Sequence, residues 1–245
     1  MFVRRSLGYF LATLLIAVVA SVSAMAAIGG TANQNRKRVS VETPLNIAIL
    51  IQDDLISQVA NERGVTADFI RALPGGSRVM VGYISSGSLQ VRQPFTSNLE
   101  QAARSLRIPL SSAAAAPYNP YVEVIEALGH FDANGGGRNV ILLISDGLDV
   151  SRGFDSTSAG HTLDLERAIR QANARNVAIF SFYAPSVGLT SHSHLAASYG
   201  QSSLNRISNE TGGKAFFQGT TGFVTFDPYF RQLGEALNAQ YARAY

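Results

Sequence analysis

Three aspartates follow the two most apolar stretches of the sequence, and their carboxylates are the groups best placed to do chemistry. Asp53 and Asp54 end the stretch LNIAILIQDD, and Asp146 follows the stretch RNVILLIS. Both stretches predict buried strands, because they are short, continuous runs of aliphatic residues. Open α/β sheets bind ligands at the carboxyl ends of such strands, where side chains from different strands meet. We therefore expect the three carboxylates to share one crevice.

Enzymes that use carboxylates of this kind need further residues, which the sequence does not supply in the required pattern. Phosphoryl transfer of the haloacid-dehalogenase type needs Asp-x-Asp, and Asp53-Asp54-Leu55 lacks that spacing. A receiver domain needs a lysine on a later strand, but the only lysines are Lys37 and Lys214. No nucleophile–base pair or cofactor fingerprint is present, and the absence of cysteine excludes thiol catalysis and metal–thiolate sites. We predict that the protein is not an enzyme.

Composition and charge exclude two further classes of protein. The chain has 245 residues, 46% of them hydrophobic and 15% charged, which excludes intrinsic disorder and favours a packed domain. It has 20 basic and 17 acidic residues, and removing Arg4 and Arg5 of the N-terminal segment leaves 18 against 17. The one basic cluster, Arg36 to Arg38, is too small for a phosphate-binding face. We expect no nucleic-acid partner.

The first 27 residues have the three parts of a secretory signal. Arg4 and Arg5 precede an apolar run from Leu7 to Val22, and small residues suited to cleavage follow. The run also approaches the roughly 20 apolar residues that span a bilayer. We therefore expect residues 1–27 to be a signal peptide or an N-terminal anchor, and residues 28–44 to be a polar linker. The protein is predicted to be exported, periplasmic or extracellular, with membrane contact only through this segment if it stays uncleaved.

From Leu45 onward, apolar strands alternate with amphipathic helices in the order β-α-β-β-α-α-β-α-β-α-β-α. The stretches RVMVGYI and LQVRQPF are joined by the short turn Ser85 to Ser88, which predicts an antiparallel hairpin. The remaining alternation predicts parallel strands with helices between them. For residues 45–245 we predict a doubly wound α/β domain with a mostly parallel six-stranded sheet. One edge strand is antiparallel, and helices cover both faces.

Three phrases of the sequence resemble von Willebrand factor A-type domains, particularly those of bacterial exported proteins. They are NIAILIQDDLIS, RNVILLISDGLD and LNRISNETGGKAFFQGTTGF, and the resemblance extends from Leu45 to about Tyr241. It implies a metal-ion-dependent adhesion site, in which hydroxyl and carboxylate oxygens of three loops hold Mg²⁺ and a partner's carboxylate completes the shell. Such oxygens are the ligands that Mg²⁺ prefers.

Carried over residue by residue, the resemblance gives an incomplete metal site. It places Asp53, Ser57 and Asp146 among the ligands. Asn119 stands where a threonine normally opens the helix of the second loop, and its amide oxygen could serve as the fourth ligand. Leu55 occupies the position of the first hydroxyl and cannot bind a metal ion. We therefore expect no cofactor, with Mg²⁺ bound weakly or not at all.

The function predicted from the sequence is a non-catalytic, extracytoplasmic protein-binding module. Its contact surface is expected at the loops 53–57, 117–121 and 146–152, where apolar side chains would form a patch with a polar border. The predicted contact residues are Leu55, Ile56, Tyr118, Tyr121 and Asp149. The alternatives are a metal-dependent adhesion domain with a working Mg²⁺ site, a structural subunit of an envelope assembly, and a metal-assisted hydrolase that uses Asp53 and Asp146.

Overall fold

The computed structural model describes residues 41–132, 137–151, 153, 162–219 and 224–244, of which 241–244 are described in backbone only. The predicted signal peptide or anchor and most of the predicted linker lie outside the described residues. Val39–Tyr245 form one compact unit. Val41 is buried in its core, and the N–H of Glu42 donates to Asn238 Oδ1, so the packed structure begins before Leu45. Within the described ranges, no helix combines the length and apolar character needed to cross a membrane.

The core of the fold is a six-stranded sheet whose strands are ordered β3-β2-β1-β4-β5-β6. The strands are β1 (Leu45–Gln52), β2 (Arg78–Ser85), β3 (Ser88–Thr96), β4 (Arg138–Ser145), β5 (Val177–Tyr183) and β6 (Ala215–Phe216). All neighbours pair in parallel except β2 and β3, the hairpin at one edge. The central strand is β1, in which Ile49 lies between Val81 of β2 and Leu142 of β4. This confirms the predicted mixed sheet with an antiparallel edge strand.

Helices cover both faces of the sheet, as predicted. They are α1 (Arg63–Arg71), α2 (Leu99–Ser105), α3 (Pro120–Leu128), α4 (Leu163–Ala174), α5 (Leu189–His192), α6 (His194–Glu210) and α7 (Asp227–Ala244). Alternate residues of β1 face opposite sides, which divides the core in two. Ile47 and Ile49 pack with side chains of α1, α2 and α7, whereas Ala48 and Leu50 pack with side chains of α3, α4 and α6.

One helix is longer than its sequence predicts. The apolar periodicity indicates a helix only from Leu204 to Glu210, but α6 begins at His194. The Oγ of Ser193 caps it by accepting the N–H of Ala196. The added turns bury small residues rather than large apolar ones, and for that reason a hydrophobic pattern does not reveal them.

Candidate functional site

Four loops meet at the carboxyl ends of the central strands. The loop after β1 is hydrogen bonded to the loop after β5, since the N–H of Ile56 donates to Pro185 O (3.0 Å) and the N–H of Val187 donates to Asp54 O (2.9 Å). These backbone bonds hold the two loops in a fixed relative position.

The long connection from α2 to α3 joins the same surface. The N–H of Ser111 donates to Asp53 O (2.9 Å), which ties this connection to the loop after β1. The N–H of Val150 donates to Tyr118 O (2.7 Å), which ties it to the loop after β4. The three loop regions predicted to form a contact surface therefore lie together, and the loop after β5 joins them.

Asp53 is fully buried and makes an ion pair with Arg107. Its Oδ1 and Oδ2 accept from the two terminal nitrogens of the guanidinium at 2.6 and 2.7 Å, and Oδ1 also accepts the N–H of Leu110 at 3.0 Å. Burial by itself would raise the pKa of Asp53. The hydrogen bonds and the charge of Arg107, together with the Leu110 N–H, outweigh that effect and hold the pKa below its usual value. Asp53 is therefore ionised at neutral pH.

Tyr83 of β2 fixes the position of Arg107 from the other side. The guanidinium carbon lies 3.9 Å from the centre of the Tyr83 ring, within the range of a cation–π contact. The hydroxyl of Tyr83 donates to the carbonyl of Arg107 at 2.7 Å and accepts its N–H at 2.8 Å. The backbone and the charged group of Arg107 are thus both held in place.

Asp54 and Asp146 form a second part of the crevice, in which neutral groups supply the hydrogen bonds. Gln52 bridges them, because its Nε2 donates to Asp54 Oδ1 (2.7 Å) and its Oε1 accepts the N–H of Asp146 (3.3 Å). Asp146 also accepts from Thr190 Oγ1 and from the N–H of Leu148, both at 3.1 Å. Burial, followed by the charge of Asp146, raises the pKa of Asp54 to about 6. Burial also raises the pKa of Asp146.

The loop after β4 is positioned by a close approach of α6. Gly147 has a φ of 69°, a conformation that favours glycine. A Cβ added at Gly200 of α6 would collide with the carbonyl of Asp146. The side chain of Asp146 therefore takes its place because two glycines let the helix and the loop touch.

The remaining predicted metal ligands, Ser57 and Asn119, differ in exposure and in hydrogen bonding. Ser57 is exposed, and its hydroxyl lies 3.5 Å from Gln58 Oε1. Asn119 is buried at the start of α3, where its Oδ1 caps the helix by accepting the N–H of Tyr121 at 3.1 Å. Its Nδ2 donates to Asp164 Oδ2 at 2.9 Å.

As arranged, these residues do not fit Mg²⁺. The ion requires a near-octahedral shell of oxygens at about 2.0–2.1 Å. Both carboxylate oxygens of Asp53 bind a guanidinium, the amide oxygen of Asn119 caps a helix, and Leu55 supplies no oxygen. Among the residues that the structure describes, no three His, Cys, Asp or Glu side chains are grouped to hold a metal ion.

The predicted contact residues are partly misplaced. Leu55 and Tyr121 are 0% exposed, so the expectation that they face a partner is wrong. Leu55 packs into the core on the face of the sheet that α1, α2 and α7 cover, and the hydroxyl of Tyr121 donates to Gly147 O at 2.7 Å. Ile56 is half-buried against the same core as Leu55, and Asp149 is half-buried. Tyr118 is exposed as predicted.

The exposed apolar side chains that sequence reasoning missed lie at the same end of the sheet as Tyr118. The structure exposes eight large apolar residues within its described ranges, each between 41% and 62%. Each lies in a loop at the carboxyl ends of the parallel strands or in the first turn of a helix that begins there. We call this set the apolar rim; its members are Ile108, Leu110, Tyr118, Val122, Leu163, Leu189, Leu195 and Phe217. Apart from Tyr118, which the sequence analysis predicted, its loop members follow neither helical nor strand periodicity, so no sequence pattern indicated them.

No protein-family profile and no curated protein matches the sequence. Several solved structures, however, are similar to this one in fold. An aerotolerance-related membrane protein from Bacteroides fragilis NCTC 9343, with multiple mutations to serines, has a TM-score of 0.55 at 11% identity, covering 80% of this chain and 99% of that one. The conserved hypothetical protein BatB from Bacteroides thetaiotaomicron has a TM-score of 0.51 at 12% identity, covering 82% and 99%. Together with the strand order and the antiparallel edge, these likenesses show that the chain has the fold of a von Willebrand factor A-type domain.

Proposed function

We propose that this protein is a non-catalytic, extracytoplasmic protein-binding module and that the apolar rim is its contact surface. The observation that carries the proposal is the placement of all eight described, exposed large apolar side chains at one end of the sheet. Interface cores are apolar and rich in aromatic residues, and monomeric proteins rarely gather exposed apolar side chains in this way.

The conformation of Tyr118 supports the same surface. Its φ is 61°, in the left-handed region that bulky side chains rarely adopt, and the residue is 62% exposed. Strained backbone of this kind persists only where the surrounding structure maintains it, and it is concentrated at functional sites. Here the hydrogen bond from Val150 to the Tyr118 carbonyl holds the strained residue.

The state of the crevice favours binding over catalysis. The oxygens of Asp53 are engaged by Arg107, and those of Asp146 accept bonds from Thr190 and Leu148. A hydrolase would need at least one of these carboxylates free to act on water or to bind a metal ion. An extracytoplasmic location agrees with the signal-like segment 1–27 and with the description of one similar structure as a membrane protein.

Site-specific photocrosslinking in the native host tests the proposal. A photoreactive phenylalanine analogue at Leu110 or Tyr118 is expected to crosslink to a discrete protein partner. The same analogue at His130, which is exposed at the opposite end of the domain, is the matched control and is expected to give no such product. Equal yields at the rim and at His130, or no product at any rim position, would show that the rim is not a contact surface.

Two substitutions separate loss of binding from loss of folding. Tyr118→Gly removes the ring and relieves the strained φ, so the domain should stay at least as stable while crosslinking from Leu110 decreases. Leu110→Asp places a charge at an exposed position of the apolar rim and should abolish crosslinking from Tyr118. If neither substitution, tested separately, lowers the crosslinking yield from the other position, the proposal is contradicted.

A further inference from the structure

One charged group in the crevice, which the resemblance does not assign, is held by several contacts. Arg107 binds both oxygens of the buried carboxylate of Asp53 and stacks on Tyr83. The resemblance implies a divalent cation at Asp53, and the structure has a side-chain cation there instead. Two positive groups cannot both bind the same pair of carboxylate oxygens without strong repulsion.

The ion pair also organises a segment of the rim. The terminal nitrogen that binds Asp53 Oδ1 also donates to the carbonyl of Ile108 at 3.0 Å. Asp53 accepts the N–H of Leu110 through its side chain and the N–H of Ser111 through its backbone. The side chains of Ile108 and Leu110 are exposed, at 55% and 61% for the whole residues, so the contacts that hold these residues are made by their backbone groups.

We infer that Arg107 is the built-in cation of the crevice, which positions the rim segment 107–111 on Asp53 and makes the folded domain independent of divalent ions. Arg107 is thus a positioning residue. A planar guanidinium suits this role because it matches the two oxygens of a carboxylate and also stacks on an aromatic ring. The inference concerns the arrangement of the loops and holds whether or not the rim binds a partner.

Three variants of the full domain test the inference by thermal unfolding and amide hydrogen exchange. Arg107→Met keeps the length of the side chain but leaves Asp53 buried without its cation, which is expected to lower the Tm by about 10 °C. The amides of Leu110 and Ser111 should then exchange faster. Arg107→Lys keeps the charge and should restore part of the Tm and of the protection. Arg104→Met removes an exposed arginine and is the matched control, with a Tm close to that of the wild type.

The wild-type protein is measured in EDTA and in millimolar Mg²⁺ or Mn²⁺, with the same Tm expected in each. A fall in Tm with EDTA, or calorimetric binding of Mn²⁺ that Asp53→Asn abolishes, would overturn the inference in favour of a working metal site. Equal Tm values for the Met and Lys variants would also overturn it, because charge would then have no part. If Arg107→Met does not fold, Arg107→Lys still tests the inference. A Tm and exchange rates equal to those of the wild type would overturn it, because the bidentate contact with Asp53 would then not be needed.

Discussion

Glu123 of α3 makes the stability of this domain depend on pH in a direction opposite to that of most carboxylates. It is 1% exposed, and its Oε2 has no hydrogen-bond partner among the described residues. Burial, with a smaller contribution from the charge of Glu126, raises the pKa of Glu123 to about 7 from its ordinary value of 4.5. The folded state therefore favours the protonated carboxyl, and ionisation of this group favours unfolding.

The size of the effect follows from proton linkage. Below pH 4.5 the carboxyl is protonated in both states and the shift contributes nothing. Between pH 4.5 and 7 the unfolded chain loses this proton before the folded chain does, so stability falls as pH rises through that window and is constant above it. A shift of this size corresponds to about 3 kcal/mol, at 1.36 kcal/mol for each pKa unit.

Glu123→Gln removes the ionisation and keeps the shape of the side chain. We expect the difference in unfolding free energy between variant and wild type to grow by about 3 kcal/mol from pH 4.5 to pH 8, in favour of the variant. Urea unfolding at four pH values measures it, with an unchanged m-value as the check that both proteins expose the same surface.

Glu126→Gln, on the exposed side of the same helix, is the control for loss of a charge and should show much less growth, because it removes only the smaller contribution of that charge to the raised pKa of Glu123. If the wild type and Glu123→Gln have parallel stability curves over this pH range, the reasoning about Glu123 is refuted.

Further predictions concern the close packing, the second carboxylate and the N-terminus. Gly200→Ala should lower the unfolding free energy by about 1–3 kcal/mol, because the added Cβ meets the Asp146 carbonyl. Gly64→Ala is the control and should not lower it, because there is open space at its Cβ. Equal midpoints of urea unfolding for the two variants would contradict this prediction. Asp54→Asn should stabilise the domain more at pH 8 than at pH 4, because the pKa of Asp54 is raised to about 6. Urea unfolding of the variant and the wild type at both pH values measures the difference. Mass spectrometry of the natural protein should find an N-terminus near residues 25–27, and an intact cytosolic chain would contradict the predicted export.

Local sequence patterns were sufficient to predict most of the fold. The aliphatic runs that became β1 and β4 are buried along most of their length, and only a sheet covered on both faces requires such runs. The short turn from Ser85 to Ser88 could join its strands only as a hairpin, and that hairpin forms the antiparallel edge. The same patterns predicted that Asp53 and Asp146 would lie at the same end of the sheet, because each follows the carboxyl end of a parallel strand.

Tertiary structure decided which groups those carboxylates bind and which way their neighbours point. Asp53 and Arg107 are 54 positions apart, and Arg107 lies in a loop without helical or strand periodicity, so nothing local relates the two. Leu55 directly follows the aspartates but turns into the core, because the loop after β1 pairs with Ser186 and directs that side chain inward.

Side-chain direction in irregular loops depends on dihedral angles that neighbouring loops impose, and such angles leave no periodic signal in the sequence. The sequence by itself therefore determined the sheet and the end of it at which the crevice lies. Only the packing of the loops against one another decided that an arginine occupies that crevice and that Ile108 and Leu110 are exposed beside it.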